Sequence, residues 1–391
     1  MKKELNGLFI LHFLNDGIRT TFITMLPFIA KELSLNLSVV GFLGSAQPIF
    51  ASILALPAGF LASGLGGFHF LVYLLIIYSI GALATAVSFN VTLIVLGFSI
   101  AALGFGMFHT VGFSLVAKTA ENENLGKVMG NFTAIGDIGR VFIPPLLVFI
   151  TPITGWRAGY ILIAVIGLFT FLILRRRFPK DDKINLQEKD FKHEDHRDFI
   201  KGLFILLRQR NFSLTLLAAI LDSLASSPIY IFLPFLLLAK GIKITEFGIF
   251  TTLFLAGSLF GKYFLGRAVD KLGNKRMFIA SEIIMATGLI SLTLTANFYL
   301  MLIISFILGS FTRGTTPVIQ SMFSQASHKN HYDKVFALSE LFVGVASVIT
   351  VILMGVIADK TGIRNVFYLT AILAVLATIP SLVITSRNNT K

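Results

Sequence analysis

The chain has 391 residues, of which 55% are hydrophobic and only 14% charged, and its formal net charge is +13. Soluble globular domains carry about 25% charged residues, so this composition excludes an ordinary soluble fold. The absence of cysteine excludes disulfides and cysteine metal sites, and the basic residues are spread over segments that flank apolar runs, so no nucleic-acid partner is predicted.

Twelve apolar segments predict twelve transmembrane helices, because a helix needs about 20 mostly apolar residues to cross the hydrocarbon core of a membrane. The lipid bilayer is therefore the first predicted partner. The predicted spans are 5–31, 38–63, 68–89, 91–117, 126–151, 156–175, 211–239, 245–268, 275–296, 298–323, 334–358 and 364–385.

Charged residues interrupt the first of these helices, in the stretch NDGIR. His12, Asp16 and Arg19 follow one another at spacings of four and three residues, which places them on one helix face. A charge at the bilayer centre costs about 2.5–3.5 kcal/mol on insertion scales, and such residues usually mark a pathway. Two interpretations stay open: Asp16 and Arg19 form a purely structural ion pair, or they belong to a working site.

The fourth and fifth helices carry further polar groups. His109 follows GFGMF in the fourth, and GDIGR in the fifth repeats the acid–base spacing with Asp137 and Arg140. The glycines beside this pair also favour close helix packing, so a structural role is the alternative for both residues. For His109 the alternative is a packing histidine held by a hydrogen bond.

A charged linker divides the chain into three predicted parts. Residues 1–175 form an N-terminal six-helix bundle, 176–210 a cytoplasmic linker and 211–391 a C-terminal six-helix bundle. The end of the linker, DFIKGLFILLRQR, has an apolar run with basic flanks, which is typical of a helix on the membrane surface. A solvated loop is the alternative.

The second half has its own charged residues within predicted helices. Asp222 lies in helix seven, Arg313 in helix ten and Glu340 in helix eleven. Lys262 and Glu282 are expected near the membrane interfaces, where a long side chain such as lysine reaches the headgroups. The two glycines of GSLFG at 257–261 predict close helix packing.

The two halves repeat at a constant offset of 207 residues. The tripeptide LPF at 26–28 recurs at 233–235, Gly66 matches Gly273, and the dipeptide TG at 154–155 recurs at 361–362. Six helices are an even number, so both copies enter the membrane from the same side as parallel repeats. Most Lys and Arg lie on the side of the termini and linker, which predicts that both termini are cytoplasmic.

Twelve helices in two parallel halves, together with GRAVDKLGNKR at 266–276, resemble the major facilitator superfamily. The stretches HFLNDGIRTTFITMLPFIAKELSLN, GFGMFHTVGFSLVA and GKVMGNFTAIGDIGRVFIPPLL are similar to its fosmidomycin-resistance-like efflux branch. The resemblance implies an all-α integral membrane transporter of the major facilitator fold, monomeric, in a bacterial cytoplasmic membrane. It also implies a protein that is not an enzyme and has no cofactor.

The resemblance further implies a cytoplasmic gate motif, formed by Gly266, Asp270, Gly273, Lys275 and Arg276. In the family this loop latches the cytoplasmic side closed. The N-terminal counterpart reads GFLASGLGGFHF, with Ser63 in place of the aspartate and no basic residues after it, so a latch on one side only is expected.

The resemblance also places helices one, four, seven and ten around a central cavity. The acids expected to couple protons are Asp16, Asp222 and Glu340. The residues expected to bind substrate are Arg19, His109, Arg313, Asp137 and Arg140. Asp222 lies one residue from the repeat image of Asp16, which makes the two acids near counterparts.

The resemblance implies efflux of a small organic compound by alternating access. The buried acids predict that this efflux is coupled to protons, and the arginines favour an anion as substrate. One alternative is a proton-coupled uptake symporter. Another is a divalent metal exporter that uses His12, Asp16 and Asp222, since imidazole and carboxylate suit several divalent ions. The sequence has no P-loop, G-x-S-x-G or zinc motif, which argues against an ATP-driven pump and against a membrane enzyme.

Overall fold

A computed structural model describes residues 2–119, 125–177, 204–326 and 332–384 of the chain, and these residues form helices and short connections without a strand. The helices are α1 Lys2–Thr24, α2 Leu26–Glu32, α3 Leu37–Leu65, α4 Gly67–Ala86, α5 Val91–Thr119, α6 Leu125–Thr154, α7 Trp156–Arg177, α8 Arg210–Ala239, α9 Phe247–Leu272, α10 Asn274–Leu294, α11 Phe298–Thr312, α12 Thr316–Ala326, α13 Tyr332–Thr361 and α14 Ile363–Val383.

The predicted all-α membrane fold is confirmed, and each predicted span corresponds to one helix or to a broken helix. Among the described residues, ten spans are long and apolar enough to cross a membrane. The two segments outside that set are α1, which carries the charges of NDGIR, and α3, for which only a shorter apolar stretch at 37–50 qualifies.

Two predicted spans are broken in the structure. The first divides at Met25 into α1 and α2, and the tenth divides between Thr312 and Thr316 into α11 and α12. A proline follows each break, as Pro27 and Pro317. Proline lacks a backbone donor and is favoured in the first helical turn, so it suits the start of a new helix better than the middle of a continuous one.

The chain forms two compact units. Unit 1 comprises Met1–Gln187 with Lys243–Thr251, and unit 2 comprises Glu188–Ile242 with Thr252–Lys391. Residues 198–203 of the predicted surface helix DFIKGLFILLRQR lie outside the described residues. Its later part, 204–208, is one helical turn that exposes Phe204 and Ile205 and buries Leu206 against α8.

The repeat recurs in local backbone detail. Gly66 and Gly273 both precede the third helix of a half, with φ values of 81° and 82°, a conformation that glycine adopts without steric cost. Asn90 and Asn297 precede the next helices, and each side chain accepts a hydrogen bond of 3.0 Å from the backbone N–H three residues later. Asparagine is a preferred N-cap for this reason.

Close glycine contacts join helices within each unit, as predicted. In unit 1, a Cβ added to Gly139 on α6 would lie 2.1 Å from the backbone oxygen of Phe13 on α1. In unit 2, a Cβ at Gly257 or Gly261 on α9 would lie 2.1 or 2.2 Å from a backbone oxygen of α11. Small residues let these helix backbones approach one another, and in unit 1 this approach brings polar side chains of α1 and α6 together.

Candidate functional site

Asp16 is the centre of a buried polar cluster in unit 1. The residue is 1% exposed. Its Oδ2 lies 2.5 Å from Arg140 Nη2 and 3.3 Å from His12 Nε2. Its Oδ1 lies 3.2 Å from His109 Nε2 and accepts a hydrogen bond of 2.9 Å from Asn15 Nδ2. Three helices, α1, α5 and α6, therefore contribute to one carboxylate.

Arg140 links Asp16 to a second acid. While Nη2 contacts Asp16, Nη1 donates a hydrogen bond of 2.8 Å to Asp137 Oδ1 one turn earlier on α6. The Asp16 side chain is 2% exposed, whereas those of Arg140 and His109 are 24% and 27% exposed. Arg140 and His109 are therefore the partly exposed members of the cluster, and the acid is covered.

Glycine spacing on α6 brings Arg140 into place. A Cβ at Gly136 would lie 2.6 Å from His12 Nε2 and 2.8 Å from Asp16 Oδ2. With Gly139 against Phe13, α6 therefore runs directly against the polar face of α1. In GDIGR the glycines therefore pack the helices, as the structural alternative predicted, and the arginine contacts the Asp16 carboxylate.

His12 is held in one orientation by its surroundings. Its Nδ1 lies 2.8 Å from the backbone oxygen of Phe132, and its ring centroid lies 4.1 Å from that of Phe132. A carbonyl oxygen only accepts hydrogen bonds, so Nδ1 is the donor. The other nitrogen, Nε2, is buried without a hydrogen-bond partner among the described residues and points at Asp16.

Two residues of this cluster escaped the sequence analysis. Tyr78 on α4 is fully buried, and its hydroxyl donates a hydrogen bond of 2.7 Å to Asn15 Oδ1, while Asn15 Nδ2 donates to Asp16. Asn15 had a signal, since it is a polar residue beside Asp16 inside an apolar helix. Tyr78 had none, because it lies on another helix and an aromatic residue there is indistinguishable from ordinary core packing.

The acid of NDGIR, Asp16, pairs with residues beyond its own motif. Arg19 is half-buried on α1, but the described ion pairs of Asp16 include an arginine from α6 and two histidines. The interpretation that Asp16 and Arg19 merely neutralise each other within one helix is therefore too narrow. The prediction from residue spacing that His12 and Asp16 share a helix face is confirmed by their contact.

The predicted residues of unit 2 do not form a single described cluster. Asp222 on α8 is buried at 6% exposure. Arg313 follows α11 at the helix break, and its guanidinium carbon lies 4.2 Å from the centre of the Tyr230 ring, a cation–π contact. Glu340 belongs to α13, and its side chain lies outside the described residues.

The structure corrects the prediction for Glu282. Its side chain was expected near a membrane interface, but the residue lies in the middle of α10 and is 0% exposed. Hydropathy along one helix locates the helix and says nothing about which neighbour covers a given side chain. Here the neighbour is Asp222.

The metal hypothesis is changed by the geometry. Among the described residues, the group of possible ligands whose atoms lie within 4.8 Å of one another consists of His12, Asp16 and His109, and it does not include Asp222. Histidine and carboxylate suit several divalent ions. However, the Arg140 guanidinium already occupies Asp16 Oδ2, and its positive charge opposes a cation there.

The predicted gate motif is described in part. Gly273 makes the predicted turn with its positive φ, and Arg276 is exposed. Lys275 Nζ donates hydrogen bonds of 2.6 and 3.2 Å to the backbone oxygens of Leu382 and Ile384, at the end of α14. The side chain of Asp270 lies outside the described residues, and a Cβ at Gly266 would make only ordinary contact, 3.7 Å from Pro317.

Comparison with known proteins covers nearly the whole chain. The family model of the Major Facilitator Superfamily matches residues 8–221 and 215–391. An uncharacterized MFS-type transporter of Methanocaldococcus jannaschii is 24% identical over 93% of this chain and 95% of its own length. The probable sulfoacetate transporter SauU of Cupriavidus necator is 24% identical over 86% of this chain and 82% of its own length.

A solved structure shares the fold. The crystal structure of a bacterial homolog to the human lysosomal transporter Spinster, in an inward-facing and occupied conformation, has a TM-score of 0.81 at 13% identity. The likeness covers 97% of this chain and 96% of that one. At this identity the similarity concerns the fold alone.

Proposed function

The chain belongs to the major facilitator superfamily of membrane transporters, and from this premise we propose that it carries a small organic anion together with a proton. The proton binds at Asp16, beside His12, and the anion binds at Arg140 and His109. Efflux was the direction predicted from the sequence. The arrangement of charges supports the alternative, a proton-coupled symporter.

The observation that carries this proposal is the contact between His12 and Asp16. Because His12 Nδ1 donates to Phe132, the buried Nε2 meets Asp16 Oδ2 at 3.3 Å. Two atoms that both present lone pairs repel each other at this distance, whereas a proton on either one makes the contact favourable. The contact is therefore a proton-binding position inside a membrane helix, where ionisable residues usually serve transport.

The coupling follows from the second contact of Asp16. While Asp16 is ionised, it holds the Arg140 guanidinium at 2.5 Å. A proton on Asp16 removes that negative charge and leaves Arg140 available to an incoming anion. A bound anion on Arg140 in turn removes the positive charge that stabilises ionised Asp16. Proton and anion therefore strengthen each other's binding, and such coupling is reciprocal.

Joint binding distinguishes symport from exchange. An antiporter requires the proton and the substrate to exclude each other, whereas this arrangement favours both together. Arginine presents a planar fork of donors that matches carboxylates and similar oxyanions. The relative in Cupriavidus necator is named for sulfoacetate, which carries two such anionic groups, and this supports a small sulfonate or carboxylate as the substrate.

The proposal is tested with the purified full chain in proteoliposomes, with radiolabelled sulfoacetate and phosphonoacetate as probes. An outside-acid pH gradient is expected to drive accumulation of the probe, and a protonophore to abolish it. Asp16→Asn is expected to exchange probe across the membrane but not to accumulate it, because the asparagine is permanently neutral. Asp359→Asn, an exposed acid on α13, serves as the control.

The sign of the gradient decides the direction. Accumulation driven by an inside-acid gradient would mean that proton and substrate exchange, which restores the predicted efflux and overturns symport. Full gradient-driven accumulation by Asp16→Asn would mean that Asp16 does not carry the transported proton. Either result leaves the membership of the family untouched.

Metal export is the second candidate, because His12, Asp16 and His109 bring possible ligand atoms together. This alternative predicts that Zn²⁺ or Mn²⁺ raises the melting temperature of the purified protein, and that His12→Ala removes the effect. If the protein carries an anion, Arg140 repels a cation at Asp16. Any rise in melting temperature caused by either ion is then expected to be the same in the wild type and in His12→Ala.

A further inference from the structure

A second pair of polar groups lies in the interior of unit 2 and is not used by the Asp16 cluster. Asp222 on α8 is 6% exposed and Glu282 on α10 is 0% exposed. The two carboxyl groups are close enough to hydrogen-bond to each other. They come from different helices of the same unit, so the contact is produced by the packing of α8 and α10 around α14 and not by spacing along one helix.

The oxygens of this pair have few other partners. Asp222 Oδ1 and both carboxyl oxygens of Glu282 are buried without a hydrogen-bond donor in the part of the chain that the structure describes. Buried polar atoms are normally paired, because an unpaired one loses its bonds to water and gains nothing in return. For a carboxyl group the cost is larger when it is ionised.

The described charged groups named below have partners or positions of their own on the helices of unit 2. Helices α11 and α12 contain no Asp, Glu, Lys or Arg. Lys275 on α10 is engaged by the carbonyls at the end of α14. Arg364 on α14 lies beside Lys240, whose Nζ donates to the Thr293 oxygen at the opposite end of α10.

The remaining charged residues of the neighbouring helices lie elsewhere or outside the described side chains. On α8 this is Arg210, the exposed first residue of the helix. On α13 the exposed Asp359 and Lys360 lie in the last turn, and the side chains outside the described residues are Asp333, Lys334 and Glu340. At the break between α11 and α12, the Arg313 guanidinium lies over the Tyr230 ring.

Two ionised carboxylates have no hydrogen to share, since both are acceptors only. One added proton converts the contact into a hydrogen bond from a carboxylic acid to a carboxylate. It also removes one of two like charges that would otherwise repel each other inside an apolar bundle. Paired carboxyl groups of this kind titrate as one unit.

We propose that Asp222 and Glu282 form a second proton-binding site, in which the two carboxyl groups hold one proton between them. The site is separate from the Asp16 cluster and belongs to unit 2. Its use in coupled transport rests on the proposed function, but the presence of the proton does not. A bound monovalent cation such as Na⁺ is the competing occupant, and it is treated as an outcome of the test.

Further buried polar atoms accompany the pair along α10. The Ser281 hydroxyl and both side-chain polar atoms of Asn274 lack hydrogen-bond partners among the described residues. Asn274 and Ser281 are two helical turns apart and therefore lie on the same side of α10. They offer water the polar partners that it needs in a protein interior.

Infrared spectroscopy of the purified full chain tests the site directly, because protonated carboxyl groups absorb separately from ionised ones. The wild-type spectrum at neutral pH is compared with that of the double variant Asp222→Asn, Glu282→Gln, which keeps the size and hydrogen-bonding capacity of both residues. The expected result is the loss of one protonated carboxyl per chain. Asp359→Asn is the matched control and is expected to lose none.

Two other infrared results decide against the proposal. An unchanged carboxylic-acid band means that both groups are ionised in the wild type. In that case, if NaCl stabilises the wild type more than choline chloride does, and the double variant shows no such difference, the site binds a cation. Loss of two protonated carboxyls would mean that Asp222 and Glu282 each carry a proton of their own and do not share one. A double variant that melts like the wild type shows that the comparison is made on folded protein.

Transport then tests the use of the second proton. In proteoliposomes with sulfoacetate as the probe, the double variant is expected to lose gradient-driven accumulation and to retain exchange. If the double variant loses the carboxylic-acid band but still accumulates the probe, the pair binds a proton that takes no part in coupled transport. The infrared result needs no substrate, so it stands or falls independently of the Asp16→Asn experiment.

Discussion

Arg140 Nη2 lies 2.5 Å from Asp16 Oδ2, which joins the fifth predicted transmembrane segment to the first through a buried ion pair. The same guanidinium holds Asp137, and the same carboxylate receives two histidines and Asn15. A change at any of these residues therefore acts on the charge of Asp16. This makes the pair the most informative position in unit 1 for mutation.

Arg140→Ala is expected to destabilise unit 1 much more than Arg157→Ala. Loss of Arg140 leaves Asp16 buried and without its arginine partner, and breaking a buried pair costs about 3–5 kcal/mol. Arg157 pairs with Glu32, stacks on Trp156 and donates to the Ser88 oxygen, but its side chain is 37% exposed. Exposed pairs contribute about 0.2–1 kcal/mol.

Unfolding of both variants in mixed micelles of SDS and a mild detergent measures this difference. Asp16→Asn combined with Arg140→Ala is the control, because it removes both charges and is expected to recover part of the stability. Equal losses for Arg140→Ala and Arg157→Ala would show that the Asp16 pair is solvated and not buried.

Gly139→Ala is expected to lower both stability and transport. Its new methyl carbon would lie 2.1 Å from the Phe13 backbone oxygen, so α1 and α6 must move apart. Overpacking of this kind costs about 1–3 kcal/mol, and the movement also separates Arg140 from Asp16. Thermal melting and gradient-driven uptake of sulfoacetate are the measurements.

Gly266→Ala is the matched control for melting, because its methyl group meets Pro317 only at 3.7 Å. In a helix interior this change is expected to leave stability equal or to raise it by up to about 1 kcal/mol. If Gly139→Ala has the same melting temperature as the wild type, α1 and α6 are packed less closely than the 2.1 Å contact indicates.

Tyr78→Phe is expected to alter the pH dependence of transport as well as stability. The lost hydroxyl leaves Asn15 Oδ1 without its donor at 2.7 Å, so the amide is free to turn away from Asp16. Removal of such a hydrogen bond costs about 0.5–1.5 kcal/mol. The uptake rate is measured from acidic to alkaline pH, and the profile is expected to shift.

Tyr160→Phe provides the comparison, since that tyrosine is equally buried and donates a longer hydrogen bond, 3.3 Å, to the Phe22 oxygen. This variant is expected to lose some stability and to keep the wild-type pH profile. If both variants shift the profile alike, Asn15 does not transmit the effect to Asp16.

Lys275→Met is expected to loosen the end of α14. The ammonium donates to the oxygens of Leu382 and Ile384, and cations near a helix C-terminus are favourable by about 0.3–1 kcal/mol. Hydrogen exchange over 376–384 is expected to accelerate. Lys271→Met, which removes an exposed lysine from the last turn of α9, is expected to leave this exchange unchanged.

Much of the fold could be predicted because its determinants are local. Each long apolar segment must form its hydrogen bonds within itself in a membrane, so hydropathy alone locates the helices. The turns at Gly66 and Gly273 and the caps at Asn90 and Asn297 depend on a few neighbouring residues, which is why the repeat in the sequence reappears in the backbone. The spacing of His12 and Asp16 is likewise a property of one helix.

The site could be predicted only as a set of residue types on separate helices. The sequence pattern places Asp16, His109, Arg140 and Asp222 inside apolar helices, where a charge is costly, and Glu282 near a membrane interface. Tertiary structure alone decided that Arg140 and His109 meet Asp16, that Tyr78 reaches it through Asn15, and that Glu282 faces Asp222 and not a membrane interface. The physical reason is that helical periodicity determines a side chain's direction about its own axis, while its partner depends on how closely the neighbouring backbone can approach, as at Gly136 and Gly139.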